Sequence, residues 1–223
     1  MHRRLSSIRI AIAFITFVAL ASCNSPYVPK KKGYFHIDFP EREYTRFSRE
    51  GFPYSFEYPV YAQVVQDSTY FDSTPENPYW VNIDFPRYHA RIFLSYKIIG
   101  GKAVYKVKAP DGSYRDSIGT NYFDRMVNDA FNLTNKNDIV ASSIRDSLIR
   151  TANGIHGVYF KVGGNAATGR QFFLSDTNRH FIRGALYFDA TPNADSLRPV
   201  QDFLQEDILH LINSFRWEPS GRP

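Results

Sequence analysis

One cysteine among 223 residues leaves no intramolecular disulfide available, so in an oxidising compartment this chain must be held together by its core. Long apolar runs are missing as well. The N-terminal one, Ile10–Ala21 (IAIAFITFVALA), is interrupted by Thr16 and is shorter than the roughly 20 apolar residues that span a bilayer. Charge of one sign is also in short supply. The formal net charge is +5, but Arg3, Arg4 and Arg9 lie in the first nine residues, and without them the balance falls to about neutrality, which calls for no nucleic-acid partner. The sequence contains no Gly-x-Ser-x-Gly elbow. Its Gly163-Gly164-Asn165 run reaches Gly169 without the lysine of a phosphate loop, and its six histidines include no His-x-x-x-His pair. These absences leave catalysis without a motif. We therefore expect no catalytic residue, metal or cofactor, and no enzymatic activity.

What is present begins at the N-terminus. Three arginines, an apolar stretch and the tetrapeptide Leu20-Ala21-Ser22-Cys23 read as a lipoprotein signal peptide over residues 1–22, with Cys23 the acylated first residue of the mature chain. Residues 23–33 (CNSPYVPKKKG) hold two prolines and no apolar periodicity, as expected of a flexible tether. Lys30, Lys31 and Lys32 in it are placed to gain from anionic headgroups, at about 1 kcal/mol per lysine. A single globular domain is expected over residues 34–219, with 220–223 as a tail. Its 19 Phe and 15 Tyr supply ample apolar area.

Strands are expected at 34–39, 54–58, 80–85 and 90–98, where aromatic and β-branched residues cluster. Ile-Asp-Phe-Pro occurs at 37–40 and again at 83–86, and each proline marks a strand end. A polar excursion runs from 59 to 77, and Asp111-Gly112 signals a tight turn. Tyr122, Met126, Val127, Ala130 and Phe131 then fall at helical spacing, ending by 135–137. Strands resume at 139–150, 155–162, 169–176 and 180–189. The final helix starts at Pro199 and carries a stripe of Val200, Phe203, Leu204, Ile208, Leu211, Ile212 and Phe215. The expected fold class is α/β (α+β): one largely antiparallel sheet of five to seven strands flanked by two principal helices.

The carboxylate pairs Glu206-Asp207 and Glu41/Glu43 read as solvated. Five Asp-Ser-x triplets place Ser68, Ser73, Ser117, Ser147 and Ser196 in a form that resembles the acceptor motif for O-glycosylation of exported Bacteroidota proteins, although Asp-Ser is also ordinary turn chemistry.

The lipobox LASC, YFHIDFP, PYSFEYP, WVNIDFPRYHARIFLSYK, ATGRQFFLSDTNRHFIRGALYF and PNADSLRPVQDFLQEDILHLINSFRW together resemble the GldD family of gliding-motility lipoproteins of Bacteroidota, over essentially the whole mature chain. The resemblance implies a cell-envelope protein serving gliding motility and the linked type IX secretion machinery. It implies no enzymatic activity and no cofactor, and Cys23 is the only functional position it transfers. The last two strands and helix are also faintly similar to PsbP-like α/β/α sandwiches.

The expected partners are a membrane, inner or outer, reached through the N-terminal lipid (palmitate among its chains), and protein components of the machinery. Surface-exported lipoproteins of the phylum that the resemblance points to tend to carry acidic residues soon after the acylated cysteine, and Asn24-Ser25-Pro26-Tyr27 carries none, so the resemblance implies a domain facing the periplasm. Candidate partner-surface residues are Tyr79, Arg87 and Tyr88 around the second IDFP, and Arg170 beside the glycine-rich loop, with Trp80 more readily placed in the core. The alternative is a periplasmic glycan-binding module or a hydrolase acting on envelope polysaccharide, which requires a cleft of convergent carboxylates or stacked aromatics.

Overall fold

A computed structural model describes residues 36–66 and 76–219. From Asp38 onward these form one compact unit. Seven strands build its main sheet, all antiparallel, in the order β3-β4-β5-β11-β10-β9-β8: β3 (Gln63–Gln66), β4 (Val81–Phe85), β5 (Ala90–Ile98), β8 (Ala141–Arg150), β9 (His156–Gly164), β10 (Arg170–Ser175) and β11 (His180–Phe188). A hairpin of β6 (Lys102–Lys108) and β7 (Tyr114–Thr120) follows β5, turning through the Asp111-Gly112 signal. A smaller antiparallel sheet joins β1 (Tyr44–Phe47), β2 (Tyr54–Pro59) and β12 (Arg216–Trp217) in the order β1-β2-β12.

Side chains alternate across the main sheet, and each face has its own helix. On one face, Val158, Phe160, Phe173 and Phe181 meet Met126 and Ala130 of α1 (Phe123–Asn135), as the spacing in the sequence requires. On the other face lie Ile83, Phe85, Ile92, Leu94, Phe172, Leu174, Ile182 and Leu186, all essentially inaccessible. This is the face whose Arg170 bonds to α2 (Ala194–Ser214), which buries Phe203, Leu204, Ile208, Leu211 and Ile212. Beside α2 sits an aromatic cluster in which Tyr54 stacks on Phe215 at 5.7 Å, with Phe56 behind it and Trp217 edge-on to Phe215 at 4.8 Å.

Three expectations need correction. Residues 36–39 form no strand, while 34–35 lie outside the described residues; the N-terminal strand is β1, made by Tyr44-Thr45-Arg46-Phe47. The excursion from 59 to 77 contains β3, an edge strand on β4. Helix α2 begins five residues before Pro199, because Asn193 caps it by accepting from the Ser196 N–H at 3.2 Å. Pro199 therefore lies inside the helix near its start and removes one helical hydrogen bond there.

Candidate functional site

The last helix was expected to present Glu206-Asp207 to solvent. Asp207 does the opposite, with its side chain only 1% exposed. It lies four residues beyond Phe203 and three beyond Leu204, and thus on the apolar face of α2. Two hydroxyls point at its carboxylate. Tyr44 of β1 donates to Oδ1 at 2.9 Å, and Tyr61, in the turn after β2, donates to Oδ2 at 2.5 Å. Arg42 brings its Nε within 3.4 Å of Oδ1, donates from Nη2 to the Phe203 carbonyl at 3.0 Å, and lays its guanidinium over the Phe203 ring at 4.5 Å. Burial holds the Asp207 carboxyl above its usual range, opposed by the two tyrosine hydroxyls and by Arg42. Burial and the bond to Asp207 likewise push the Tyr44 hydroxyl up to about 12, and raise that of Tyr61 further. Tyr44 also stacks on His210 at 3.6 Å, and His210 Nε2 meets Glu57 Oε2 at 2.7 Å.

A carboxylate this enclosed is out of reach of a substrate. What it does is tie three separate pieces of chain, residues 42–44, Tyr61 and α2, into one platform. The surface of that platform is aromatic and cationic. Phe39, 37% exposed, stacks on Phe203 at 4.2 Å, and Tyr88 touches Phe39, Tyr61 and Phe203 at ring separations of 5.9, 6.5 and 5.8 Å. Tyr88 is carried by a single 3-10 turn, Pro86–Tyr88, which the proline of the second IDFP starts and His89 ends in the left-handed conformation at φ 46°. Arg87 on the same turn is exposed, and Arg42 is partly so. The Tyr88 hydroxyl is buried and has no hydrogen-bond partner among the described residues, and burial raises its pKa. An orphaned buried hydroxyl costs about 1–3 kcal/mol.

The four expected partner-surface residues do not share one patch. Arg87 and Tyr88 lie at one end of β4. Tyr79 precedes its other end, packed edge-on against Phe52 and Tyr96 at 5.4 and 5.6 Å. Arg170 is only 4% exposed and is a correction. Its guanidinium donates to Gln205, Gln201, Asp202 and the Gly169 carbonyl, so it anchors α2 to β10. Trp80 is in the core, donating to the Tyr96 carbonyl at 2.7 Å.

Ser117, Ser147 and Ser196 are exposed; Ser68, Ser73 and Cys23 lie outside the described residues. Asp84 is spent on a two-pronged pair with Arg91 at 2.5 and 2.9 Å. No group of three or more His, Cys, Asp or Glu able to hold a metal occurs among the described residues, nor does any helix there have the length and apolarity to cross a membrane.

Sequence reasoning missed Phe39, Arg42, Tyr44, Tyr61 and Asp207. Only Asp207 left a signal, its place within the apolar stripe of α2. No curated protein matches the chain at a significant level. Among solved structures, cyanobacterial PsbP (CyanoP) from Synechocystis sp. PCC 6803 is similar over 85% of this chain and 99% of that one, at 13% identity and a TM-score of 0.40. The model of one family, described as gliding motility lipoprotein GldD, matches residues 24–217. That match takes in nearly all of the sequence after Cys23, and the chain belongs to the GldD family of gliding motility lipoproteins.

Proposed function

We propose that this protein is a non-catalytic part of the gliding apparatus and of the linked type IX secretion machinery, that it is held to a membrane through acylated Cys23, and that it docks protein components of that machinery on the Phe39–Arg42–Arg87–Tyr88 patch. The observation that carries the docking role is the Tyr88 hydroxyl, orphaned in the described structure at the margin of an exposed aromatic and arginine surface. Aromatic and arginine side chains are the residues that most often dominate partner binding, and an acceptor supplied by a partner would satisfy the hydroxyl. The Asp207 tie supports the same reading, because it holds the platform under the patch rigid and so lowers the entropy lost on binding. The absence of acid in Asn24-Ser25-Pro26-Tyr27 favours a domain facing the periplasm.

The experiment is an in-frame deletion complemented with wild type, Cys23→Ala or Arg87→Glu/Tyr88→Ala, scoring colony spreading and release of secreted cargo. Wild type is expected to restore both phenotypes. Cys23→Ala is expected to fail through loss from the membrane fraction, and the patch variant to fail while still folded and membrane-bound. Full rescue by the patch variant would remove the docking role. Normal spreading and secretion in the deletion strain would remove the whole reading.

A further inference from the structure

The main sheet ends on one side with β3, four residues long, and on the other with β8, ten residues long and paired only with β9 among the described residues. The middle of β8 is open. Arg145, Asp146, Ser147 and Leu148 are all exposed, so this stretch sees solvent on both faces as well as along its edge, and Leu148 is 78% exposed. An exposed strand edge is a template for another strand. The sequence of this one says which strand fits.

A two-fold axis perpendicular to a sheet keeps each face continuous, so a residue can pair only with one of the same parity on the second copy. Centring β8 on Arg145 sets arginine against arginine, and centring it on Asp146 sets aspartate against aspartate, both destabilising. Centring it on Ser147 places Asp146 opposite Leu148 and leaves the charges unmatched. Centred on Leu148, the two leucines meet at the axis. Asp146 then faces Arg150 of the second copy on one side, and the reciprocal Arg150–Asp146 pair forms on the other. All six side chains lie on the face that carries α1, because Asp146, Leu148 and Arg150 are opposite Phe160, Val158 and His156 of β9. Within one chain, neither Asp146 nor Arg150 makes an ion pair with another described residue.

We infer that β8 is a self-association edge, and that two copies of this chain pair antiparallel about Leu148 with two reciprocal Asp146–Arg150 ion pairs, joining their main sheets into one. The inference does not rest on the docking patch, which involves other strands and the opposite end of the sheet order. A contact of this length buries less than the roughly 1,000 Å² of a stable interface, so the dimer is a reversible one.

Cysteine cross-linking of the full-length lipoprotein in detergent tests it, because Cys23 in the same chain is blocked by acylation and wild type serves as the background. Leu148→Cys is expected to give a disulfide-linked species of twice the chain mass. Ile144→Cys, on the same face but opposite Ala152 beyond the strand, is expected to give none. Adding Asp146→Arg, or Arg150→Asp, to Leu148→Cys is expected to abolish the cross-link, since each sets like charges opposite. Co-expressing the two charge variants under different tags is expected to restore a mixed dimer, because each arginine then faces an aspartate. Equal cross-linking at 144 and 148, indifference to the charge changes, or failure of the mixed pair would overturn the proposal. Asp146, Leu148 and Arg150 are exposed and Ile144 is half-buried, and an unchanged circular dichroism spectrum confirms that the variants fold.

Discussion

Tyr61→Phe removes one oxygen, and the structure says what that oxygen does. It donates at 2.5 Å to a carboxylate whose side chain is 1% exposed and whose other partners are the Tyr44 hydroxyl at 2.9 Å and Arg42 at 3.4 Å. A hydrogen bond to a charged group contributes about 1.5–3 kcal/mol, and the Asp207 oxygen left behind has little water to replace it. We expect a loss of ~2 kcal/mol, which for a domain of this size lowers Tm by about 4–8 °C. Tyr44→Phe should cost less, ~1 kcal/mol, because its bond is longer and water reaches the half-buried ring. Combined with Asp207→Asn, Tyr61→Phe should show a coupling of about 1–2 kcal/mol in a double-mutant cycle read by urea unfolding. A Tm shift for Tyr61→Phe of less than about 1 °C, or additivity of the two changes within ~0.5 kcal/mol, would refute the claim that this carboxylate ties the platform together.

The hydroxyl of Tyr44 has a folded pKa raised from 10.0 to about 12, so it binds its proton more tightly in the native state. The stability this gives is whole below pH 10 and is lost as pH rises towards 12; Tyr44→Phe should flatten that limb of a Tm-against-pH curve. Gly184→Ala puts a Cβ 2.3 Å from the ring of Phe172, its cross-strand partner, and is expected to destabilise by ~1–3 kcal/mol in chemical denaturation. Tyr88→Phe deletes an orphaned hydroxyl, so Tm should hold or rise slightly while co-purification of envelope partners falls; a drop of several degrees would show that the hydroxyl is satisfied. If the exposed Ser117, Ser147 and Ser196 carry glycans, the intact mass of the native protein exceeds that of the lipidated chain and returns to it in the triple Ala variant.

The strands that could be read directly were those with a strong two-residue alternation and a bounded length. Ala90–Ile98 alternates buried and half-buried residues along almost its whole length, and both helices announced themselves by a repeating stripe. Tyr44–Phe47 and Gln63–Gln66 were illegible because they are four-residue edge strands with mostly exposed side chains, made into strands by what lies beside them. The platform was hidden for a similar reason. Arg42, Tyr44 and Tyr61 meet Asp207 across separations that no local pattern spans, 163 positions for Tyr44 and 146 for Tyr61. Arg170 misled because a charged residue after a glycine-rich loop reads as exposed, and only the arrival of α2 with Gln201, Asp202 and Gln205 buries it.

The smaller sheet is closed by the far end of the chain. Arg216 and Trp217 pair with Ser55 and Tyr54, the Glu218 N–H reaches the Pro53 carbonyl at 2.9 Å, and the Ser55 hydroxyl donates to Glu218 at 2.5 Å. A chain threaded through an export channel from its N-terminus has β1 and β2 outside long before β12 follows. Until residue 218 has cleared the channel, β2 keeps a bare edge and its tyrosine and phenylalanine rings lack Phe215 and Trp217 to pack on. The smaller sheet is therefore the last part of the fold to be completed in a chain exported this way.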